Sequence, residues 1–330
     1  MHVAERQEEE PVVSDLEPPG QDEGEGKGAG GERDAGDERR ERAGRRPGDV
    51  GDPCGRGAPG RVDACPHLGP ARGAVVFTLG AATAGLGSDG RLMLGAHTPA
   101  PAPGFFAVGL WVVLLNAWFA AAVMVDPKPT LDRGIDGSWF LLTVSTQSIA
   151  VLGTYIANQF SAPEQVIFVC LAFYMLGAMF YLWVIGLVLL RWLFYPMERK
   201  EALSPNYWIN SGAMAITTLA GARLIATTSA HVASLAHFLT AFNLLFWATA
   251  SWWIPLLFIV NAWRLLVERF PLRYEPGYWS MVFPLGMYVA CTWAYAQSAD
   301  MPFLKPIARG GIFVAWAAWA VAWAAWRLRR

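Results

Sequence analysis

Long uncharged stretches dominate the chain after residue 72. The charged residues there leave eight uncharged windows, at 73–88, 92–125, 137–163, 165–190, 202–222, 238–263, 276–299 and 310–326. Most of them reach the roughly 17 to 25 residues that a transmembrane helix needs. The first has only 16 residues and many glycines, and it is the least typical span. The pattern predicts an all-α polytopic membrane protein with about eight transmembrane helices present.

One window is too polar for a helix that faces lipid. Residues 204–221, SPNYWINSGAMAITTLAG, carry Asn210, Ser211, Thr217 and Thr218 among glycines and alanines. Hydrogen-bonding groups at membrane depth are costly unless they face other helices or a wet cavity. We therefore expect this helix to face the inside of the protein.

The same type of helix recurs about every 70 residues. Trp139, Trp208 and Trp279 lie 69 and 71 residues apart, and each begins a run of small and polar residues; a vaguer copy begins at Arg72. The windows between them are bulky and aromatic. Such a repeat indicates stacked helical hairpins, with small, polar helices around a central pore and bulky helices against lipid. Small residues also serve close helix packing, so packing and pore lining both remain open for any one helix.

The first 71 residues have a different composition. Residues 1–72 carry 11 basic and 17 acidic side chains with many glycines and prolines, so we predict that residues 1–71 are a disordered tail and that 72–330 form the membrane domain. The tail has no apolar core typical of a signal peptide. It contains Cys54, Cys65 and His67, but no fourth ligand or fixed geometry. We predict no metal, no cofactor and no nucleic-acid partner.

Basic residues are distributed unevenly between the two ends of the windows. Eleven follow the second, fourth, sixth and eighth windows, against four on the opposite side: Arg91, Arg223, Lys305 and Arg309. The positive-inside rule then predicts that the tail and the C-terminus are cytoplasmic.

Four strings resemble the tellurite-resistance/C4-dicarboxylate transporter family, which includes malate permeases, sulfite efflux pumps and plant slow anion channels. They are GIDGSWFLLTVSTQSIAVLG, SPNYWINSGAMAITTLAG, FWATASWWIPLLF and RYEPGYWSMVFPLGMYVACTW. The resemblance runs from about Arg72 to the C-terminus. It implies ten helices in five hairpins, a pore lined by the odd-numbered helices, a homotrimer, and a place in the plasma membrane.

The chain departs from this family at its start. The first family hairpin has no counterpart in residues 1–71, and GAVVFTLGAATAGLG at 73–87 replaces a more aromatic helix start. We hypothesise a truncated or mis-started gene model, which an intact tail-encoding start in the transcript would contradict.

Candidate pathway residues are weak hydrogen-bond donors, which suit conduction because an ion must leave as easily as it enters. Thr143 and Gln147 share one helix face. Asn210, Thr217 and Gly221, together with Met214, form a stripe with i, i+4, i+7, i+11 spacing on another helix. Interhelical hydrogen bonding is the alternative role for each of them.

Two further candidates come from position and resemblance. A phenylalanine plugs the pore in this family, and Phe283 matches that position; Pro284 beside it can kink the helix. A core aromatic beside a structural kink is the alternative. Arg223, near one helix end, can concentrate anions at a pore mouth or snorkel to the interface.

These features predict transmembrane transport of small anions, with C4-dicarboxylates such as malate as the substrate that the resemblance implies. A passive channel for sulfite, nitrate or chloride, and a truncated remnant that does not transport, are the alternatives. No window carries paired carboxylates, an HExxH motif or a nucleophile with its base, so we do not predict an enzyme.

Overall fold

Long helices make up nearly all of the chain that the structure describes. The structure is a computed structural model, and it describes residues 74–94, 101–124, 128, 130–196, 204–267, 269 and 276–327. The tail predicted to be disordered, with Cys54, Cys65 and His67, lies outside these residues.

The described residues contain eight long helices, one for each predicted window, and no strand. They are α1 (Phe77–Leu94), α2 (Pro101–Met124), α3 (Leu141–Ile156), α4 (Pro163–Phe194), α5 (Trp208–Ile225), α6 (Ala236–Leu266), α7 (Trp279–Ser298) and α8 (Lys305–Arg327). Two short helical turns, Leu131–Gly134 and Ala230–Ala233, lie in the connections. The prediction of an all-α polytopic membrane fold is confirmed.

Five of the described segments are long and apolar enough to cross a membrane. They are Gly104–Met124, Gly137–Gln159, Pro163–Phe194, Ala236–Arg264 and Pro302–Arg327. The three long helices outside this set, α1, α5 and α7, contain more small and polar residues, as α5 illustrates with its Asn-Ser-Gly and Thr-Thr sequences. They belong to the class of helix that the sequence places inside.

A short 3₁₀ turn precedes each of the four small-residue helices. The turns are Ala74–Val76, Gly137–Phe140, Pro205–Tyr207 and Pro276–Tyr278. Each turn contacts the next one along the chain. Helices α1, α3, α5 and α7 therefore begin at the same end of the bundle, which we call the Gly137 end, and finish at the opposite end, which we call the Arg223 end.

The four small-residue helices form an arc, and the bulky helices cover its outside. Along the arc, α1 packs on α3, α3 on α5 and α5 on α7; outside it, α2 packs on α1 and α3, α4 on α3 and α5, α6 on α5, and α8 on α7. In the span Gly137–Gln159, 78% of the apolar window is buried, against 17–39% in the other four spans. Of the small, polar helices, α3 and α5 thus lie inside, whereas α1 and α7, at the two ends of the arc, keep much of their surface exposed among the described residues.

Candidate functional site

A cavity of about 1040 Å³ follows the inner side of the arc toward the Arg223 end. Its wall is formed by α1, α3, α5, α7 and α8. Helices α2, α4 and α6 contribute no lining residue. The cavity is therefore built on the inner helices, with one face of α8 as an additional wall.

Helix α5 presents one stripe of residues to the cavity. Ile216, Leu219 and Arg223 line it. A Cβ on Gly212, one turn before Ile216, would lie 2.8 Å from the Cε1 atom of Phe283. The stripe 212, 216, 219, 223 has the spacing of a single helical face, and its glycine gives the aromatic ring room to lie against the backbone.

The predicted stripe on α5 lies on the other side of the same helix. Each residue of this stripe lies two positions before a residue of the cavity stripe: Asn210, Met214, Thr217 and Gly221. Two residues correspond to a rotation of about 200° around the helix axis. All three polar or small candidates, Asn210, Thr217 and Gly221, lie outside the cavity lining. They are buried, and the Thr217 hydroxyl donates to the Ala213 carbonyl at 2.8 Å.

Gly221 marks the closest approach between α5 and its outer neighbours. A Cβ at this position would lie 2.9 Å from the Tyr174 hydroxyl and 2.7 Å from the Asn243 side-chain carbon. Asn243 itself donates to the Thr218 carbonyl at 2.9 Å and accepts from Tyr174 at 3.3 Å. The glycine therefore allows a polar bond between α5 and α6.

The Gly221→Ala variant is expected to lower the free energy of unfolding by about 1–3 kcal/mol, the usual effect of overpacking a filled interior. The added methyl group displaces Asn243 from the Thr218 carbonyl. Denaturant titration in detergent micelles would measure the change. Gly186→Ala on α4 is the matched control, because nothing lies within 4 Å of a Cβ there; equal stability of the two variants would contradict this packing role.

The two candidates on α3 also lie outside the cavity lining, and Gln147 contacts an outer helix. The Gln147 amide donates to the Tyr174 carbonyl of α4 at 3.0 Å, and Gly177 of α4 lies against its side chain. Thr143, one turn earlier, is buried, and its hydroxyl oxygen has no hydrogen-bond partner among the described residues. The residues of α3 that line the cavity are Ser148, Val151 and Tyr155.

Phe283 is the first residue of α7 in the cavity lining. It is followed at helical spacing by Met287, Ala290, Ala294 and Gln297. Its ring is 40% exposed, and Pro284 packs beside it, 3.1 Å from a Cβ built on Gly212. The ring therefore lies at the limit of the cavity nearest the Gly137 end.

Cations at the Arg223 end contact aromatic rings. The Arg223 Cζ atom lies 4.1 Å from the centre of the Tyr155 ring. Lys305 and Arg309 lie 5.7 Å and 5.8 Å from the centre of the Trp293 ring. Arg223, Tyr155, Arg309 and Trp293 all line the cavity. Among the described lining residues, two cations thus face one carboxylate, Asp89.

Sequence reasoning missed Tyr155, Ser148 and Asp89. The uncharged window 73–88 ends one residue before Asp89, whereas α1 continues to Leu94. A polar position late in a small-residue helix is the signal that points to Asp89. No sequence signal shows that Tyr155 meets Arg223, because the two residues lie on different repeats and meet only where α3 packs on α5.

The fold and the cavity define a multi-pass membrane protein whose small-residue helices line a cavity with cationic side chains. The model of the voltage-dependent anion channel family matches residues 70–326. The chain belongs to this family, which confirms the resemblance that the four sequence strings carry. The family points to a transporter or a channel as the class of activity, and not to an enzyme.

Relatives from two organisms are named as membrane proteins or transporters. An uncharacterized membrane protein of Mycobacterium tuberculosis H37Rv is 40% identical over 142 residues, which cover 43% of this chain and 72% of the relative. An uncharacterized transporter of Methanocaldococcus jannaschii is 24% identical over 226 residues, covering 66% of this chain and 62% of the relative. A second such transporter of that organism is 24% identical over 196 residues, 57% of this chain and 53% of the relative.

Proposed function

We propose that the cavity is the pathway by which this protein moves small anions across the membrane. The observation that carries the proposal is the position of Arg223 on the cavity wall with no ion pair to any residue that the structure describes. An unneutralised cation in a water-filled cleft raises the local concentration of anions. Small residues on the inner helices leave room for the ion beside it.

The family resemblance makes C4-dicarboxylates such as malate the first substrates to test. Sulfite, nitrate and chloride are the alternatives, for a passive channel. The lining of the cavity supports weak binding and rapid release, since Gln297 can supply a neutral amide donor to a dehydrated anion, whereas the Ser88 and Ser148 hydroxyls donate to the Ala84 and Val144 carbonyls of their own helices. A carrier mechanism and a channel mechanism are both compatible with this lining.

Phe283 is the gate in this proposal. Its ring stands at the inner limit of the cavity, Pro284 fixes the local shape of α7, and Gly212 provides the surface on which the ring rests. Gln147 and Gly221 hold the inner helices against the outer ones and shape the pathway indirectly. Thr143, Asn210 and Thr217 are buried beside the pathway but outside the cavity lining.

The excess of basic residues at the Gly137 end supports a cytoplasmic C-terminus, with the Arg223 end on the other side. The family resemblance supports the plasma membrane and a homotrimer in the lipid bilayer. In this orientation, the cavity opens to the non-cytoplasmic side, and Phe283 separates it from the cytoplasm.

Flux into proteoliposomes, with malate, sulfite, nitrate, chloride and tellurite tested side by side, is the direct measurement. We expect uptake of at least one of these anions, and a decrease of about threefold or more in the Arg223→Gln variant at low ionic strength, where unscreened charge acts most strongly. Arg327→Gln is the matched control, because Arg327 also stacks on an aromatic ring, Trp323 at 4.3 Å, but lies outside the cavity lining.

Two results would count against the proposal. Equal flux through the wild-type protein and the Arg223→Gln variant would remove Arg223 from the pathway. No flux of any of the five anions through well-folded protein would favour the alternative of a remnant that does not transport.

A further inference from the structure

We propose that Tyr155 is a positioning residue that holds Arg223 as a subsite for planar oxyanions. The inference rests on the proposed function and adds a residue and a ligand class to it. The Arg223 guanidinium lies over the Tyr155 ring, with 4.1 Å between the Cζ atom and the ring centre. Both side chains belong to the cavity wall.

The pair joins two neighbouring inner helices at one end of the cavity. Tyr155 lies in the last turn of α3, and Arg223 lies in the last turn of α5. An arginine side chain has several freely rotating bonds, and fixing them costs conformational entropy. Contact with the ring favours one arrangement, since cation–aromatic contacts are attractive, especially in partly desolvated surroundings.

The ring holds the arginine without neutralising it. Arg223 has no carboxylate partner among the described residues, and its Nε atom is buried with no hydrogen-bond acceptor there. A carboxylate in the place of Tyr155 would also fix the guanidinium, but it would cancel the charge that an anion needs. An aromatic residue supplies position and leaves the positive charge for the ligand.

The same arrangement occurs a second time beside the cavity. Lys305 and Arg309 at the start of α8 lie near Trp293 of α7. Asp89 of α1 also lines the cavity, yet it forms no ion pair with these cations or with Arg223. Arg223, Lys305 and Arg309 thus lie near aromatic rings, most closely Arg223, and form no ion pair with Asp89.

The ligand class follows from the shape of guanidinium. Its planar fork of N–H groups matches two coplanar oxygens, as in a carboxylate or nitrate, and gives little geometric advantage to a spherical halide. Because one face of the Arg223 guanidinium lies against Tyr155, its edge of N–H groups is the part that remains to bind an anion. We therefore expect the subsite to favour malate and nitrate over chloride.

Substitutions at Tyr155 separate this role from simple packing. Tyr155→Phe keeps the ring and is expected to transport like wild type. Tyr155→Leu is expected to raise the half-saturating concentration of malate and nitrate about three- to tenfold, in line with the strength of cation–aromatic contacts, with an unchanged maximal rate. Chloride flux is expected to change less than twofold. Arg223→Lys keeps the charge but is expected to lose the preference for oxyanions.

The double variant provides the decisive control. If Tyr155 acts through Arg223, then Tyr155→Leu adds no further change in half-saturation to an Arg223→Gln protein. A Tyr155→Leu protein with wild-type half-saturation, or one whose effect persists in the Arg223→Gln background, would overturn the inference while leaving anion transport intact.

A binding readout distinguishes failure of this inference from failure of the proposed function. Malate and nitrate are expected to raise the thermal unfolding temperature of detergent-purified wild-type and Tyr155→Phe protein, with a smaller shift for Tyr155→Leu. Stabilisation with this pattern but without flux would contradict transport and support the subsite. Flux with identical stabilisation of all three proteins would contradict the subsite alone.

Discussion

Replacing Phe283 with alanine is expected to raise anion flux on the order of tenfold, which corresponds to a barrier lower by about 1.4 kcal/mol. The ring stands at the inner limit of the cavity, and Phe283 as a residue is 40% exposed. Removing it widens the passage toward the Gly137 end without removing a charged group. Flux in proteoliposomes, normalised to the amount of folded protein, would measure the effect.

Two matched variants test whether the position of the ring matters. Phe313→Ala removes another aromatic ring from the cavity lining, on α8, and is expected to leave flux within about twofold of wild type if the barrier lies at Phe283. Gly212→Ala inserts a methyl group where the Phe283 ring rests. It is expected to change flux in the wild-type background but not in the Phe283→Ala background. Unchanged flux in a well-folded Phe283→Ala protein would exclude the gate.

Replacing Gly137 with alanine is expected to lower the free energy of unfolding by about 3 kcal/mol or more, at the upper end of overpacking effects. A Cβ at this position would lie 2.5 Å from the Asn206 carbonyl carbon and 2.7 Å from the Tyr207 amide nitrogen. Both neighbours are backbone atoms, so no side-chain rotation relieves the clash. The turns that precede α3 and α5 would have to separate.

Yield of monodisperse protein and denaturant titration in micelles would measure this loss. The control is again Gly186→Ala, which adds a methyl group where space is open and where alanine favours the helix by roughly 1 kcal/mol. A Gly137→Ala protein as stable as this control would show that the contact between the two turns is not required.

The number and class of the helices could be read from the sequence, because each depends on local composition. A bilayer selects long apolar segments, and every predicted window overlaps one long helix. The repeat also predicted that α3 and α5 lie inside. Trp208, which marks the repeat on α5, is buried, and the aromatic residues of α8, such as Trp316, are exposed.

The direction in which each inner helix faces could not be read from the sequence. Asn210, Thr217 and Gly221 form as regular a stripe as Gly212, Ile216 and Arg223, and the two stripes lie on opposite faces of α5. Polar and small residues serve equally for a hydrogen bond to a neighbouring helix and for a wet cavity. Composition therefore gives no basis for choosing between them.

The sequence by itself determined that this chain crosses a membrane through repeated hairpins with small, polar inner helices, since hydrophobic length and repeat period are properties of single segments. Only the tertiary structure decided that Phe283 meets Gly212, that Tyr155 meets Arg223, and that Gln147 and Gly221 contact the outer helices. These pairings depend on the rotation and depth of one helix against another. Rotation and depth are set by close contacts between distant segments, such as Gly137 against Asn206 and Gly221 against Asn243.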